Sequence, residues 1–107
     1  MNILDIEQAV PLFFSRGALR FFQSRILSEV YEGPGGVYFV TSERFEGSDG
    51  QGKPRRYTVR KFLPATAEER AQVDTFGPFN VLTRGRAQRL ARIAAQYPEA
   101  AKEALDN

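Results

Sequence analysis

The sequence predicts an α+β fold in one small domain that spans residues 1–107. We expect a three- to four-stranded antiparallel sheet packed by a C-terminal helix, with a short N-terminal helix. Three observations lead to this expectation. A chain of 107 residues suits a single hydrophobic core. Two glycine-rich clusters, at 33–36 and 47–52, separate runs typical of strands. The last third of the chain places apolar residues at helical spacing.

The N-terminal segment predicts two short helical pieces. Residues 4–10 have apolar side chains at mixed spacing, which supports one helical turn that Pro11 ends. Ser15 is a candidate N-cap for a short helix over 16–23. Apolar residues recur there at i, i+3 and i+7: Leu19, Phe22 and Ile26.

Four strands are expected, near 26–32, 37–46, 55–63 and 76–82. From Ile26 the pattern has period two, with two sets of three residues on opposite sides: Ile26, Ser28 and Val30, then Leu27, Glu29 and Tyr31. Val37 to Val40 form a continuous apolar run, which is typical of a strand covered on both faces. In the third strand Arg56, Thr58 and Arg60 share one side, so we expect a cationic surface there.

The C-terminal half predicts the packing helix. Residues 65–74 are polar and alanine-rich, and Thr66 with Glu69 suggests either a capping box for a brief helical turn or a loop. Thr83 is a candidate cap for a helix over 84–97, and Pro98 either kinks it or starts a second helix over 98–105. The expected core contains apolar residues of the strands and this helix: Phe39, Val40, Tyr57, Val59, Leu90 and Ala94.

The composition argues against ordinary catalytic sites. The chain contains no cysteine and no histidine, so disulfides, thiolate nucleophiles and imidazole-based triads are excluded. We therefore expect a non-enzymatic protein with no catalytic residue, no metal ligand and no cofactor. A weaker alternative is an acid/base or divalent-ion site among the acids around the first hairpin: Glu29, Glu32, Glu43, Glu46 and Asp49. The glycines at 47–52 do not form a phosphate loop, because Pro54 follows Lys53 where that motif needs Ser or Thr.

The sequence also predicts a location. No run approaches the roughly 18 apolar residues of a membrane span, and the N-terminus has acids where a signal peptide needs positive charge. We expect a cytoplasmic protein with no membrane partner.

Positive charge is concentrated in the second half of the chain. Residues 54–107 hold ten basic and six acidic side chains, whereas residues 1–53 hold five and seven. Arginine forks match both phosphate and carboxylate groups, although exposed charges also serve solubility alone. The candidate partner-binding residues are seven arginines: Arg55, Arg56, Arg60, Arg84, Arg86, Arg89 and Arg92.

A set of sequence blocks resembles a group of small, uncharacterised bacteriophage accessory proteins. The blocks span about residues 15–95 and include RFFQSR at 20–25, YFVTSE at 38–43 and PRRYTVRKF at 54–62. Relative to that group, the turn at 33–36 is long and the chain after Pro98 is additional. The resemblance implies a phage or prophage gene expressed in a bacterial cytoplasm, and it assigns no residue a role.

By analogy with other small phage proteins, the expected function is binding to a host protein or nucleoprotein complex, for example as an anti-CRISPR-like inhibitor of bacterial defence. The alternative is a small nucleic-acid-binding module of phage origin.

Overall fold

The computed structural model describes residues 1–15, 23–44 and 54–106. It confirms the α+β fold, with a four-stranded antiparallel sheet in the order β1-β2-β3-β4. The elements follow the chain as α1 (Ile3–Ala9), α2 (Pro11–Ser15), β1 (Gln23–Gly33), β2 (Gly36–Arg44), β3 (Arg56–Leu63), β4 (Gln72–Phe76), α3 (Arg84–Gln96) and α4 (Pro98–Asp106).

The first three strands and the main helix lie where the sequence predicts them. Thr83 caps α3, since its side chain accepts a hydrogen bond from the Arg86 backbone N–H. The expected second short helix after Pro98 is α4. The predicted helix over 16–23 and the second glycine cluster lie largely outside the described residues, except that Gln23 already belongs to β1.

The fourth strand corrects the sequence-based expectation. The fourth strand is Gln72–Phe76 rather than 76–82, and residues 77–80 form a bend. Within the region 65–74, the Thr66 hydroxyl accepts a hydrogen bond from the Glu69 backbone N–H, but no helix follows.

The second helix, α2, begins at Pro11, because proline has the fixed φ and the missing donor that suit the first helical position.

The helix-side face of the sheet packs on α3. Tyr38, Val40 and Val59 point to this side and are almost fully buried. The helix faces them with four alanines that have no exposed surface: Ala87, Ala91, Ala94 and Ala95. Such small side chains let the helix axis approach the strands closely. Tyr57 and Leu90, which the sequence predicts to be buried, are only partly buried here.

The opposite face of the sheet is also covered, by N-terminal residues that the sequence did not identify as its cover. Ile6 and Val10 from the N-terminal segment pack with Phe39 and Phe62 of the sheet. The ring of Phe13 meets Phe39 edge-on at 6.1 Å. Phe39 has no exposed surface, and β2 is therefore buried on both faces as its apolar run predicts.

No helix in the described part of the chain is long and apolar enough to cross a membrane.

Candidate binding surface

One end of the sheet collects arginines from distant parts of the chain. Here β1 begins, β2 ends, β3 begins and α3 starts. The register places Arg25 opposite Ser42, Arg44 opposite Gln23, and Arg56 opposite Glu43. The Tyr57–Leu82 bridge then brings the start of α3 to the same end. We call this group the arginine end, and it contains Arg25, Arg44, Arg55, Arg56 and Arg84.

A second set of arginines continues along α3. Arg84, Arg86, Arg89 and Arg92 are all exposed, as the sequence predicts for the polar side of this helix. The ion pairs among the described residues are Met1–Glu32 and Arg60–Glu43, so none involves these four. We call these four the arginine face of α3.

The charges of this face oppose the helix dipole. A helix N-terminus carries partial positive charge, which acidic side chains stabilise and basic side chains destabilise. The first turn of α3 contains Arg84 and Arg86 and no acid, and the last turn has no basic residue. The charges of the first turn therefore weaken the helix, and the uncharged last turn does not offset them.

Two adjoining grooves of about 260 Å³ each run between β1 and α3. They share Glu29 and Gln88. The first groove reaches the arginine end and is lined by Arg25, Tyr57 and Arg84, among others. The second lies between Tyr31 and two further arginines of the helix, Arg89 and Arg92. The grooves therefore connect the arginine end to the arginine face.

Tyr31 and Glu29 form the polar pair of the second groove. The Tyr31 hydroxyl donates a hydrogen bond of 2.7 Å to the Glu29 carboxylate. Burial and this hydrogen bond raise the pKa of Tyr31 to about 12, although Arg92 and Arg84 act in the opposite direction. Glu29 thus places one negative charge within a groove that is otherwise cationic.

Arg55 and Arg56 occupy the start of β3. The Arg55 guanidinium donates to the Ser42 hydroxyl at 3.0 Å, and Ser42 itself lines the first groove. Arg56 is exposed and donates to the Arg55 carbonyl. Both belong to the arginine end, but they lie on opposite sides of the strand.

Arg60 is the exception, and the structure corrects its assignment to the exposed surface. Only 5% of Arg60 is accessible, and its guanidinium lies between the rings of Phe13 and Phe79 at 5.4 and 5.5 Å. It forms an ion pair of 3.2 Å with Glu43, which has no exposed surface. Burial lowers the pKa of Arg60, and the Glu43 carboxylate opposes that shift.

The buried Glu43 carboxylate organises a network of hydrogen bonds. One oxygen accepts from Thr41 at 3.0 Å as well as from Arg60. The other accepts from Thr58 at 3.4 Å. With its amide nitrogen turned to these acceptors, Asn80 donates to the same oxygen at 3.2 Å and to the Arg56 carbonyl at 3.0 Å. The network therefore ties the bend at 77–80, which leads into α3, to the ends of β2 and β3.

The acids of the first hairpin that the structure describes do not form a shared site. Glu43 is buried, Glu29 lies in the groove, and Glu32 lies at the opposite end of β1, where it pairs with the Met1 amino group. Glu46 and Asp49 lie outside the described residues. No group of three acidic side chains in the described ranges is arranged to hold a metal ion.

Sequence reasoning missed two members of the arginine end. Arg25 and Arg44 are absent from the seven candidate arginines. Both are exposed, and neither forms an ion pair with another described residue. The position of the first turn could have identified them, because a hairpin centred on 34–35 brings residues near 25 and 44 together at its open end.

Residues 4–92 match the model of a family of unknown function, DUF7447, and the chain belongs to that family. No curated protein and no solved structure matches the chain. An uncharacterised family was expected from the sequence blocks, and this expectation is confirmed at that level. The match ends within α3 and leaves α4 outside it.

Proposed function

We propose that this family member acts by binding, and that the arginine end and the arginine face of α3 contact an anionic surface on a host protein or nucleoprotein complex. The observation that carries the proposal is the charge of α3. Its four arginines stand without acidic partners among the described residues, and two of them lie where they weaken the helix. Charges that cost stability are best explained by a role outside folding.

The biological setting of the proposal rests on the sequence blocks. They resemble those of bacteriophage accessory proteins, so we place the protein in the cytoplasm of an infected bacterium. A small binder that covers a functional surface of a host complex would inhibit that complex. We therefore propose an inhibitor of bacterial defence, of the anti-CRISPR kind.

The arrangement of the grooves favours a protein component in the partner. Glu29 lies between the arginines of the two grooves, and a carboxylate at this place repels a phosphate backbone. A protein surface can offer both carboxylates to the arginines and a donor to Glu29. Tyr31 and Tyr57 add the aromatic contact area that is typical of protein interfaces.

A small nucleic-acid-binding module is the second candidate. It is favoured by the arginine face itself, because arginines without neighbouring acids on one helix face suit consecutive phosphates. The two candidates differ in the sign of one effect. Replacing Glu29 with Gln removes a repulsive charge and should strengthen binding to nucleic acid, whereas it should weaken or leave unchanged the binding to a protein that uses Glu29.

Affinity capture from a susceptible bacterial lysate, with and without nuclease, tests the proposal. We expect one host complex to be retained reproducibly at physiological salt and to remain after nuclease treatment. Recovery of heterogeneous nucleic acid that nuclease abolishes would instead support the second candidate. If the captured set equals that of an unrelated tagged protein, the binding proposal is wrong.

A further inference from the structure

A cavity of about 310 Å³ opens where the β1–β2 turn meets the junction of α3 and α4. The turn is fixed to the end of α3 by two hydrogen bonds. The Gly35 N–H donates to the Ala95 carbonyl at 2.9 Å, and the Gln96 side chain donates to the Glu32 carbonyl at 2.7 Å. The wall of the cavity that the turn provides is therefore held in place without a ligand.

The floor of the cavity is apolar and aromatic. The rings of Tyr38 and Phe76 meet edge to face at 5.3 Å, but only Phe76 keeps appreciable exposed surface, because Tyr38 is 3% exposed and Ala94 and Ala101 are fully buried. The Tyr38 hydroxyl donates to the Gly35 carbonyl, so its hydrogen is used within the protein. Such a floor accepts a flat, apolar group.

Two lysines provide the charged part of the lining. Lys61 extends from β3 with its ammonium nitrogen 5.6 Å from the centroid of the Tyr38 ring, and Lys102 comes from α4. Neither forms an ion pair with another described residue. No carboxylate lines the cavity. Asp74 lies opposite Lys61 in the β3–β4 register, and it reduces the positive field without pairing.

We propose that this cavity binds a small aromatic carboxylate. The ring would lie on Phe76, which is partly exposed, and the carboxylate would lie between the two lysines. The volume is at the lower end of the range for ligand cavities, roughly 300–1,000 Å³, which suits one ring or a fused pair. Because Asp74, Glu99 and Glu103 are near the two lysines in the fold or on the same helix, the field suits a monoanion better than a phosphate dianion.

The site is distinct from the arginine surface, and four of its nine lining residues lie outside the part of the chain that matches the family. Ala94, Pro98, Ala101 and Lys102 all lie beyond residue 92, where the family match ends. The long turn at 33–36 supplies the facing wall. The two segments that the sequence blocks leave unexplained therefore meet at this cavity.

Amide chemical shifts in a titration with indole-3-acetate test the proposal, with neutral indole-3-acetamide as the matched probe. We expect shifts confined to residues around Gly35, Lys61 and Ala101. Binding of the amide should be at least tenfold weaker than that of the acid. Replacing both lysines, Lys61→Gln with Lys102→Gln, should also weaken binding of the acid at least tenfold, and Asp74→Asn should strengthen it.

Arg70→Gln is the matched control, because Arg70 is an exposed cation that does not line this cavity. This change should leave the affinity within twofold of the unmodified protein. Equal affinity for acid and amide, unchanged affinity in the double lysine variant, or shifts centred elsewhere would overturn the proposal. None of these outcomes involves a host partner, so they leave the proposed function untouched.

Discussion

Glu43 shows how a single residue can hold several elements together. Its carboxylate has no exposed surface, yet both of its oxygens accept hydrogen bonds, from β2, β3 and the bend before α3. A buried charge is tolerated when it is paired and hydrogen-bonded, because these contacts replace the lost hydration. Every buried polar side-chain atom in the described residues has such a partner.

We expect Arg60→Leu to lower the free energy of unfolding by about 3–5 kcal/mol, since it leaves the Glu43 carboxylate buried without its counter-charge. The double variant Glu43→Leu with Arg60→Leu should be less destabilised than Arg60→Leu alone, because no unpaired charge remains. Urea denaturation of the three proteins measures both effects. Equal loss in the single and double variants would show that the ion pair does not explain the cost.

The raised pKa of Tyr31 predicts that the stability of the fold decreases at alkaline pH. Folding raises its pKa to about 12 from an ordinary value of about 10, so the native state favours the neutral phenol. This contribution to stability is complete below pH of about 10 and is lost as the pH rises from about 10 to about 12. Ultraviolet absorbance of the phenolate should show a late titration that Tyr31→Phe removes. A titration of Tyr31 at its ordinary pKa would contradict the described burial of its hydroxyl and the hydrogen bond to Glu29.

At the scale of residues, the sequence predicts which side of a strand a residue takes but not what covers that side. The alternation of Arg56, Thr58 and Arg60 was interpreted correctly, and yet Thr58 and Arg60 are buried. The difference arises because Phe13 of α2 and Phe79 of the bend cover this part of the sheet. Neither contact is signalled by a periodic pattern in the sequence, because Phe13 and Phe79 belong to segments that are too short to show one.

Among the elements, the β1–β2 turn depends on contact with the end of α3. A side chain on Gly35 would collide with the Ala94 carbonyl. We expect Gly35→Ala to lower the free energy of unfolding by about 2–3 kcal/mol. The matched change Gly85→Ala meets open space within a helix and should raise it by about 0.5–1 kcal/mol. Thermal melts of both variants test the pair, and a harmless Gly35→Ala would disprove the tight docking.

Element boundaries were predictable where the periodicity was long and failed where it was short. The helix over 84–96 has a cap and a regular apolar stripe, and its predicted bounds differ by one residue. The fourth strand was misplaced because three apolar residues, Phe79, Val81 and Leu82, outweighed the two apolar residues of the segment 72–76. Positive φ angles at Gly77 and Asn80 prevent a regular strand there.

For the molecule as a whole, the second layer of helices was not predictable from α1 and α2 alone. Both are too short to show a helical stripe, and their burial is decided by Phe39 on the sheet. We expect Phe39→Ala to lower the free energy of unfolding by about 3–5 kcal/mol, because the ring is fully enclosed. Urea denaturation measures the loss. A loss below about 1 kcal/mol would show that the N-terminal helices do not pack on this face.

The distribution of charge across the molecule is also a property of the fold. Antiparallel pairing gathers Arg25, Arg44 and Arg56 at one end of the sheet. The other end, beside the β1–β2 turn and between β3 and β4, mixes Glu32, Glu68 and Glu69 with the cations Lys61 and Arg70. The net charge of +2 conceals this uneven distribution. An oriented field of this kind steers association with an anionic partner and weakens as salt is added.

The most direct test of the binding account is reversal of the two arginines in the first turn of α3. Arg84→Glu with Arg86→Glu complements the helix dipole, so the free energy of unfolding should rise by about 0.5–2 kcal/mol. Capture of the host complex should nevertheless fall at least tenfold. Arg89→Glu with Arg92→Glu should lose capture without the gain in stability, and Arg70→Glu should retain capture. Full capture by the stabilised Arg84, Arg86 variant would contradict the account, because it would show that these arginines serve neither the fold nor a partner.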